Sequence, residues 1–140
     1  MTIKHASHPA ALDTPGTDTF RHFHEGRAER VLIASPAVRA VIERSMDDTD
    51  PVTLARRYLT DADIVLVEGF KAEALPKVEV FRKANSDTPL YDSAASNAGE
   101  WVAIVTDDDH FHADTVVLHF RDTMWLQLLS GLVWDKAMEI

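Results

Sequence analysis

Stretches of period-two and helical patterning succeed one another along this chain, and the changes between them mark its elements. Thr2 to His5 reads as the tail of a strand. Residues 6–16 are punctuated by Pro9, Pro15 and Gly16 and predict a loop. Thr17 or Asp18 can cap a helix running to about Arg27. Arg30 to Ala34 predicts a strand, and Ser35-Pro36 turns the chain. Residues 37–43 fit a strand or a short helix. The polar run Asp47-Asp48-Thr49-Asp50 before Pro51 supplies a cap and a first-turn proline for a helix over about 51–60. Within 63–68 the run Ile64-Val65-Leu66-Val67 has the look of a strand buried on both faces. Lys77 to Arg82 alternates charged and apolar residues, as a half-buried strand does. Residues 84–100 are loop-like. Trp101 to Thr106 predicts a buried strand closed by Asp107-Asp108-Asp109, and Thr115 to Phe120 predicts another. Asp122 to Met138 predicts a helix with Trp125, Leu128, Leu129, Leu132 and Val133 on one face. Strands alternating with helices indicate an α/β domain, without internal repeats.

The length of 140 residues fits one domain over 1–140, and 46% hydrophobic residues suffice for an ordinary core. No run of eighteen apolar residues is present, so no membrane span is expected. The start lacks the pattern of a secretory signal. The absence of cysteine excludes disulfides and thiolate metal sites and fits a cytoplasmic protein. A net charge of −9, from 23 acidic and 14 basic residues, argues against nonspecific binding to nucleic acid or anionic membranes. A nucleotide remains compatible with that charge where the local site is basic or carries Mg2+.

The most informative chemistry follows the run Ile64–Val67. Glu68-Gly69 stands at the carboxyl end of a predicted parallel strand, where α/β folds place ligands. Gly69 admits close approach of backbone or phosphate. Glu68 is a hard oxygen ligand suited to Mg2+, directly or through water. Lys71 is a point charge able to meet a phosphate. The simpler reading is a strand ending in a solvated turn. Seven histidines invite a metal site, but His22 and His24 are two apart on a predicted helix and face different sides. His110-Phe111-His112 is a looser candidate in a turn. No histidine pair at i,i+4 and no cysteine support zinc.

Three blocks carry a resemblance to a known family. Val67-Glu68-Gly69-Phe70-Lys71 and Pro76-Lys77-Val78-Glu79-Val80-Phe81-Arg82 are similar to its V-E-G-F-K and P-K-(I/V)-E-V-x-R elements. Lys4-His5-Ala6-Ser7-His8 and Asp13-Thr14-Pro15-Gly16-Thr17-Asp18-Thr19 are similar to its K-H-x-H-H and D-x-P-G-x-D-(S/T) elements. Glu25 to Ser35 is similar to A-G-A-x-x-x-(V/I)-x-(V/A)-(A/S)-S. The blocks come in family order over about residues 2–120 and resemble the molybdopterin-guanine dinucleotide biosynthesis proteins of the MobB family. That family opens with a strand, a G-x-x-x-x-G-K-(S/T) phosphate loop and a helix. This sequence has no Gly-Lys pair, and Met1-Thr2-Ile3-Lys4-His5 resembles the end of the family's second strand. A miscalled start, a shortened gene and a protein without the loop all fit that departure.

The resemblance implies a P-loop-NTPase-like, mostly parallel sheet flanked by helices, lacking the first strand, P-loop and first helix. It favours a strand over 37–43. It implies a GTP-binding accessory role in molybdenum cofactor biosynthesis, with Mg2+ and molybdopterin as ligands and at most weak GTPase activity. The implied partner is a MobA-like nucleotidyltransferase that attaches GMP to molybdopterin, and homodimers are implied as well. Glu68 would act at the attacking-water or Mg2+ side, and Asp13 would share the metal. Asp18 matches a second acidic position, or simply caps the helix. Lys4, His5 and Lys71 would face the nucleotide, and His8 lies in the same block. Asp107 would read guanine through its N1–H and 2-amino group. Lys77 and Arg82 would meet a pterin phosphate or a partner, or else form the exposed face of an edge strand. The alternative is a non-catalytic, nucleotide-free binding module or dimerising partner. Without its first strand such a sheet is expected to expose apolar faces and open edges.

Overall fold

The structure is a computed structural model that describes all residues except 7, 9, 10 and 46–48. Pro9 and the Asp47-Asp48 part of the predicted polar break therefore lie outside the described residues. The chain runs β1 (Thr2–Lys4), α1 (Asp18–His24), β2 (Arg30–Ala34), β3 (Arg39–Glu43), α2 (Pro51–Tyr58), β4 (Leu66–Glu68), β5 (Lys77–Phe81), β6 (Trp101–Thr106), β7 (Val116–His119) and α3 (Trp125–Lys136). This is an α/β arrangement with mostly parallel pairing. β1 pairs with β4 in parallel, and β5, β6 and β7 form a parallel ladder in that order. β2 and β3 form an antiparallel hairpin, which settles residues 37–43 as mostly strand.

Local chemistry explains most boundaries. Thr17 caps α1, its hydroxyl accepting from Phe20 N at 3.2 Å. The helix stops at His24, short of the predicted Arg27, and Arg27 itself takes a left-handed φ of 52° outside helical geometry. Asp50 caps α2 through Thr53 N at 2.9 Å, and Pro51 fills the first turn. The turn after β4 carries Gly69 at φ 91° and Phe70 at φ 47°.

The core gathers on β6. Ala103, Ile104, Val105 and Thr106 are wholly buried between β5 and β7, with Phe81 and Leu118 beside them. Val31 and Ile42 fill the inner face of the hairpin, and Ala55 and Pro51 are buried on α2.

Three patterns depart from the sequence reading. The run Ile64–Val67 is not buried on both faces: Leu66 is 51% exposed, and the others are half-buried. Among the described residues, β4 has a strand neighbour on one edge only, so its aliphatic run lacks the flanking layers that a central strand has. β5 is an edge strand, as expected, but its alternation is inverted. Glu79 and Phe81 are buried, Lys77 is largely covered, and Val80 is 63% exposed. The inversion stands because both charged side chains find partners inside. On α3, Trp125, Leu129, Leu132 and Val133 are half-buried as predicted, but Leu128 points out and no residue of the helix is fully buried. Among the described residues no helix is long and apolar enough to cross a membrane.

Candidate functional site

The parallel register Lys4↔Glu68 sets the first cluster. It brings two charged residues 64 positions apart to neighbouring strand ends, where Lys4 Nζ and Glu68 Oε1 form an exposed ion pair. His5 N donates to Glu68 O at 2.8 Å, extending the ladder by one bond. The His5 ring stacks on Phe70 with centroids 4.5 Å apart. Gly69 is tied to that contact: a Cβ there would meet His5 Cβ at 2.7 Å. Four residues of the expected site, Lys4, His5, Glu68 and Gly69, therefore share one corner. Lys71 is exposed in the turn that follows.

Asp13 belongs to the cap of α1. Its Oδ1 accepts from Thr14 N at 2.7 Å and Thr17 Oγ1 at 3.1 Å. Its Oδ2 is sealed from solvent and has no hydrogen-bond partner among the described residues. The nearby Thr19 hydroxyl lowers the carboxyl most. The Thr14 and Thr17 bonds add to it against partial desolvation, and the group titrates below its ordinary 3.8. Asp18 opens α1 and lies exposed, and the capping side chain is that of Thr17.

Mg2+ usually takes one or two carboxylates, with waters and phosphate oxygens completing its shell. Asp13 Oδ2, without a hydrogen-bond partner among the described residues, fits such a first carboxylate, whereas Glu68 already holds Lys4. No group of three or more His, Asp or Glu among the described residues is placed to hold a metal ion. For guanine, Asp107 stands at the end of β6 with both oxygens engaged. Arg82 Nε lies 3.2 Å from Oδ2, and Lys83 N lies 3.3 Å from Oδ1. A carboxylate has about four lone-pair directions, so base contacts remain open to it.

The other two acids of that run are also paired. Asp108 meets Lys83 Nζ at 2.9 Å and His110 N at 3.1 Å. Lys83 first, then the His110 amide, holds its carboxyl below the ordinary 3.8. Asp109 meets Arg121 at 2.5 Å. His22 and His24 lie on α1, with His24 against Phe20 and Phe23. Among the described residues, His119 Nδ1 is buried without a partner on β7.

Two arrangements escaped the sequence reading. Lys77 turns inward, pairs with Glu100, donates to Leu75 O at 3.3 Å and lies 5.4 Å from the Trp101 ring. Glu79 accepts from Leu90 N at 2.6 Å and Tyr91 N at 2.9 Å, pinning the long loop to the sheet. These residues thus hold the fold from within, and the expected outward role of Lys77 does not match its position. The second arrangement is a set of arginines around Glu43. Neither has a local spacing signal, because their members come from distant segments.

A sequence model described as molybdopterin guanine dinucleotide synthesis protein B matches residues 1–107. The chain belongs to the MobB family. Every expected site residue falls inside that match, and α3 falls outside it. The molybdopterin-guanine dinucleotide biosynthesis adapter protein of Escherichia coli K12 is 34% identical over 90 residues, covering 62% of this chain and 51% of that protein. The adapter protein of the same description from Haemophilus influenzae Rd is 33% identical over 82 residues, covering 58% and 46%. The chain thus spans about half the length of the curated relatives it matches. The crystal structure of Bacillus subtilis MobB superposes with a TM-score of 0.62 at 20% identity, over 94% of this chain and 77% of that one. That likeness fixes the fold as P-loop-NTPase-like α/β.

Proposed function

We propose that this MobB-family chain acts as an accessory protein in molybdopterin-guanine dinucleotide biosynthesis, presenting a guanine nucleotide to the enzyme that attaches GMP to molybdopterin. The observation that carries this reading is the parallel β1–β4 pair. It sets Lys4 and Glu68 side by side at strand carboxyl ends, where α/β folds hold ligands. In the resting chain each charge neutralises the other. On binding, Lys4 turns to a phosphate and Glu68 to Mg2+, so no charge is left unpaired. Gly69 leaves the backbone open beside them, Asp13 Oδ2 supplies a further oxygen, and Asp107 reads the base. Lys71 adds a positive charge at the rim. No hydrolytic step is assigned to these residues. A cytoplasmic location, a homodimer and contact with a MobA-like nucleotidyltransferase belong to the same proposal.

Fluorescence titration with a labelled GTP, with and without Mg2+, tests it. Lys4→Met should weaken binding in both conditions, and Glu68→Gln should weaken it only where Mg2+ is present. Absence of GTP binding at millimolar nucleotide would refute the nucleotide part. A second reading, a nucleotide-free binding module, is favoured by one observation. Glu68, Asp107 and Lys77 already have partners within the chain, while Leu32, Val41 and Leu66 are at least half exposed. Under that reading the chain should copurify with the nucleotidyltransferase without GTP, and neither substitution should alter the association.

A further inference from the structure

We infer that Arg30, Arg44 and Arg57 form a binding site for a phosphate-class anion of about diphosphate size, separate from the Lys4–Glu68 corner. The three arginines come from three segments: the start of β2, the residue after β3 and the last turn of α2. With Glu29 and Glu43 they line an open cleft of about 640 Å³, and among the described residues all of its lining side chains are charged. That volume lies in the usual range for small-molecule sites. The chain as a whole carries −9, yet among the described residues of this cleft three cations face two acids.

The arginines are not equivalent. Arg44 is fixed in place. Its guanidinium lies 4.3 Å from the Phe23 ring centroid and donates to Ala28 O at 3.2 Å and to Phe23 O. Arg30 holds Glu43 through two nitrogens, Nε at 2.9 Å and a terminal nitrogen at 2.7 Å. Arg57 reaches the same carboxylate oxygen only at 3.4 Å, and lies 5.0 Å from the Tyr58 ring. A well-made charge-assisted bond is about 2.7–2.9 Å, so Arg57 is loosely held and keeps donors to spare. Glu43 thus acts as a resident anion that spaces the two guanidiniums. Planar guanidinium forks match phosphate oxygens in pairs, and arginine is more weakly hydrated than lysine. Arg57 sits at the carboxyl end of α2, so side chains, not helix amides, must hold the anion.

The test is calorimetric titration of the full chain with inorganic pyrophosphate at low salt. Arg57→Ala, at a half-exposed position, should weaken binding by about tenfold or more, the effect of losing charge-assisted hydrogen bonds. Glu43→Gln should tighten binding, because it removes the competing negative charge while keeping the side chain's shape. Repeating the titration with GDP separates the sources: a preference for GDP that still depends on Arg57 assigns the diphosphate to a nucleotide. Comparable affinities for GDP and pyrophosphate assign it to a free anion. Failure to bind pyrophosphate at 10 mM, or equal affinity in wild type and Arg57→Ala, would overturn the site. Lys4→Met leaves this binding unchanged, so the outcome is independent of the nucleotide reading above.

Discussion

Replacing Glu79 by alanine should loosen the loop that follows β5. The carboxylate is 9% exposed and accepts from two consecutive backbone amides, Leu90 N at 2.6 Å and Tyr91 N at 2.9 Å. A hydrogen bond to a charged group contributes about 1.5–3 kcal/mol, so the pair is worth about 3–6 kcal/mol before compensation. Leu90 is 60% exposed, so water can reach the freed loop and recover part of that. The expected net cost of Glu79→Ala is about 2–4 kcal/mol. Glu79→Gln should cost less, about 1.5–3 kcal/mol, because the amide keeps one acceptor and turns a donor toward the other N–H. Urea unfolding measures both costs. Amide hydrogen exchange localises them, since Leu90 and Tyr91 should lose protection first while β6 keeps its own. A cost under about 1 kcal/mol, with both amides still protected, would refute the clamp.

Gly69→Ala should destabilise by about 2 kcal/mol or more, since φ 91° disfavours any Cβ and the added atom would meet His5 at 2.7 Å. Thermal unfolding checks this, and a second substitution, His5→Gly, which removes the Cβ that is struck, should recover only the collision part. Asp50→Ala should cost about 1 kcal/mol through loss of the α2 cap, read by urea unfolding. Asp50 and Asp108, with Asp13, contribute to the acid sensitivity of the fold. The Thr53 amide lowers the first and Lys83 the second below the ordinary 3.8. Both bind protons less readily folded than unfolded. Their stabilisation is therefore complete above the ordinary value and is lost as pH falls through the lowered ones. A melting profile from pH 6 down to about pH 2 should be steeper in wild type than in the Asp50→Asn, Asp108→Asn double variant.

Elements with local signals were legible in the sequence. β2 and β6 have the predicted bounds, and the α2 cap at Asp50 and Pro51 was readable because both act within one helical turn. The blocks around Lys4, Asp13 and Glu68 carried the family, and the family model over residues 1–107 agrees. The buried strand β6 and the edge position of β5 were also read correctly, and what failed were particular inferences about which side chains find cover. Lys77 and Glu79 read as the outer face of β5. They lie inside because Glu100 and the amides of residues 90 and 91 come back to them across at least eleven positions of chain. Leu66 and Leu128 read as buried and are exposed, because apolar patterning states a preference for burial and not whether a covering surface is present.

The sequence by itself determined the α/β alternation, the helix caps and the family, since these depend on contacts a few residues apart or on residue order alone. Only the tertiary structure paired Lys4 with Glu68 and drew Arg30, Arg44 and Arg57 around one cleft. Those contacts join segments up to 64 positions apart, and strand register and chain return, not local spacing, decide which charges meet.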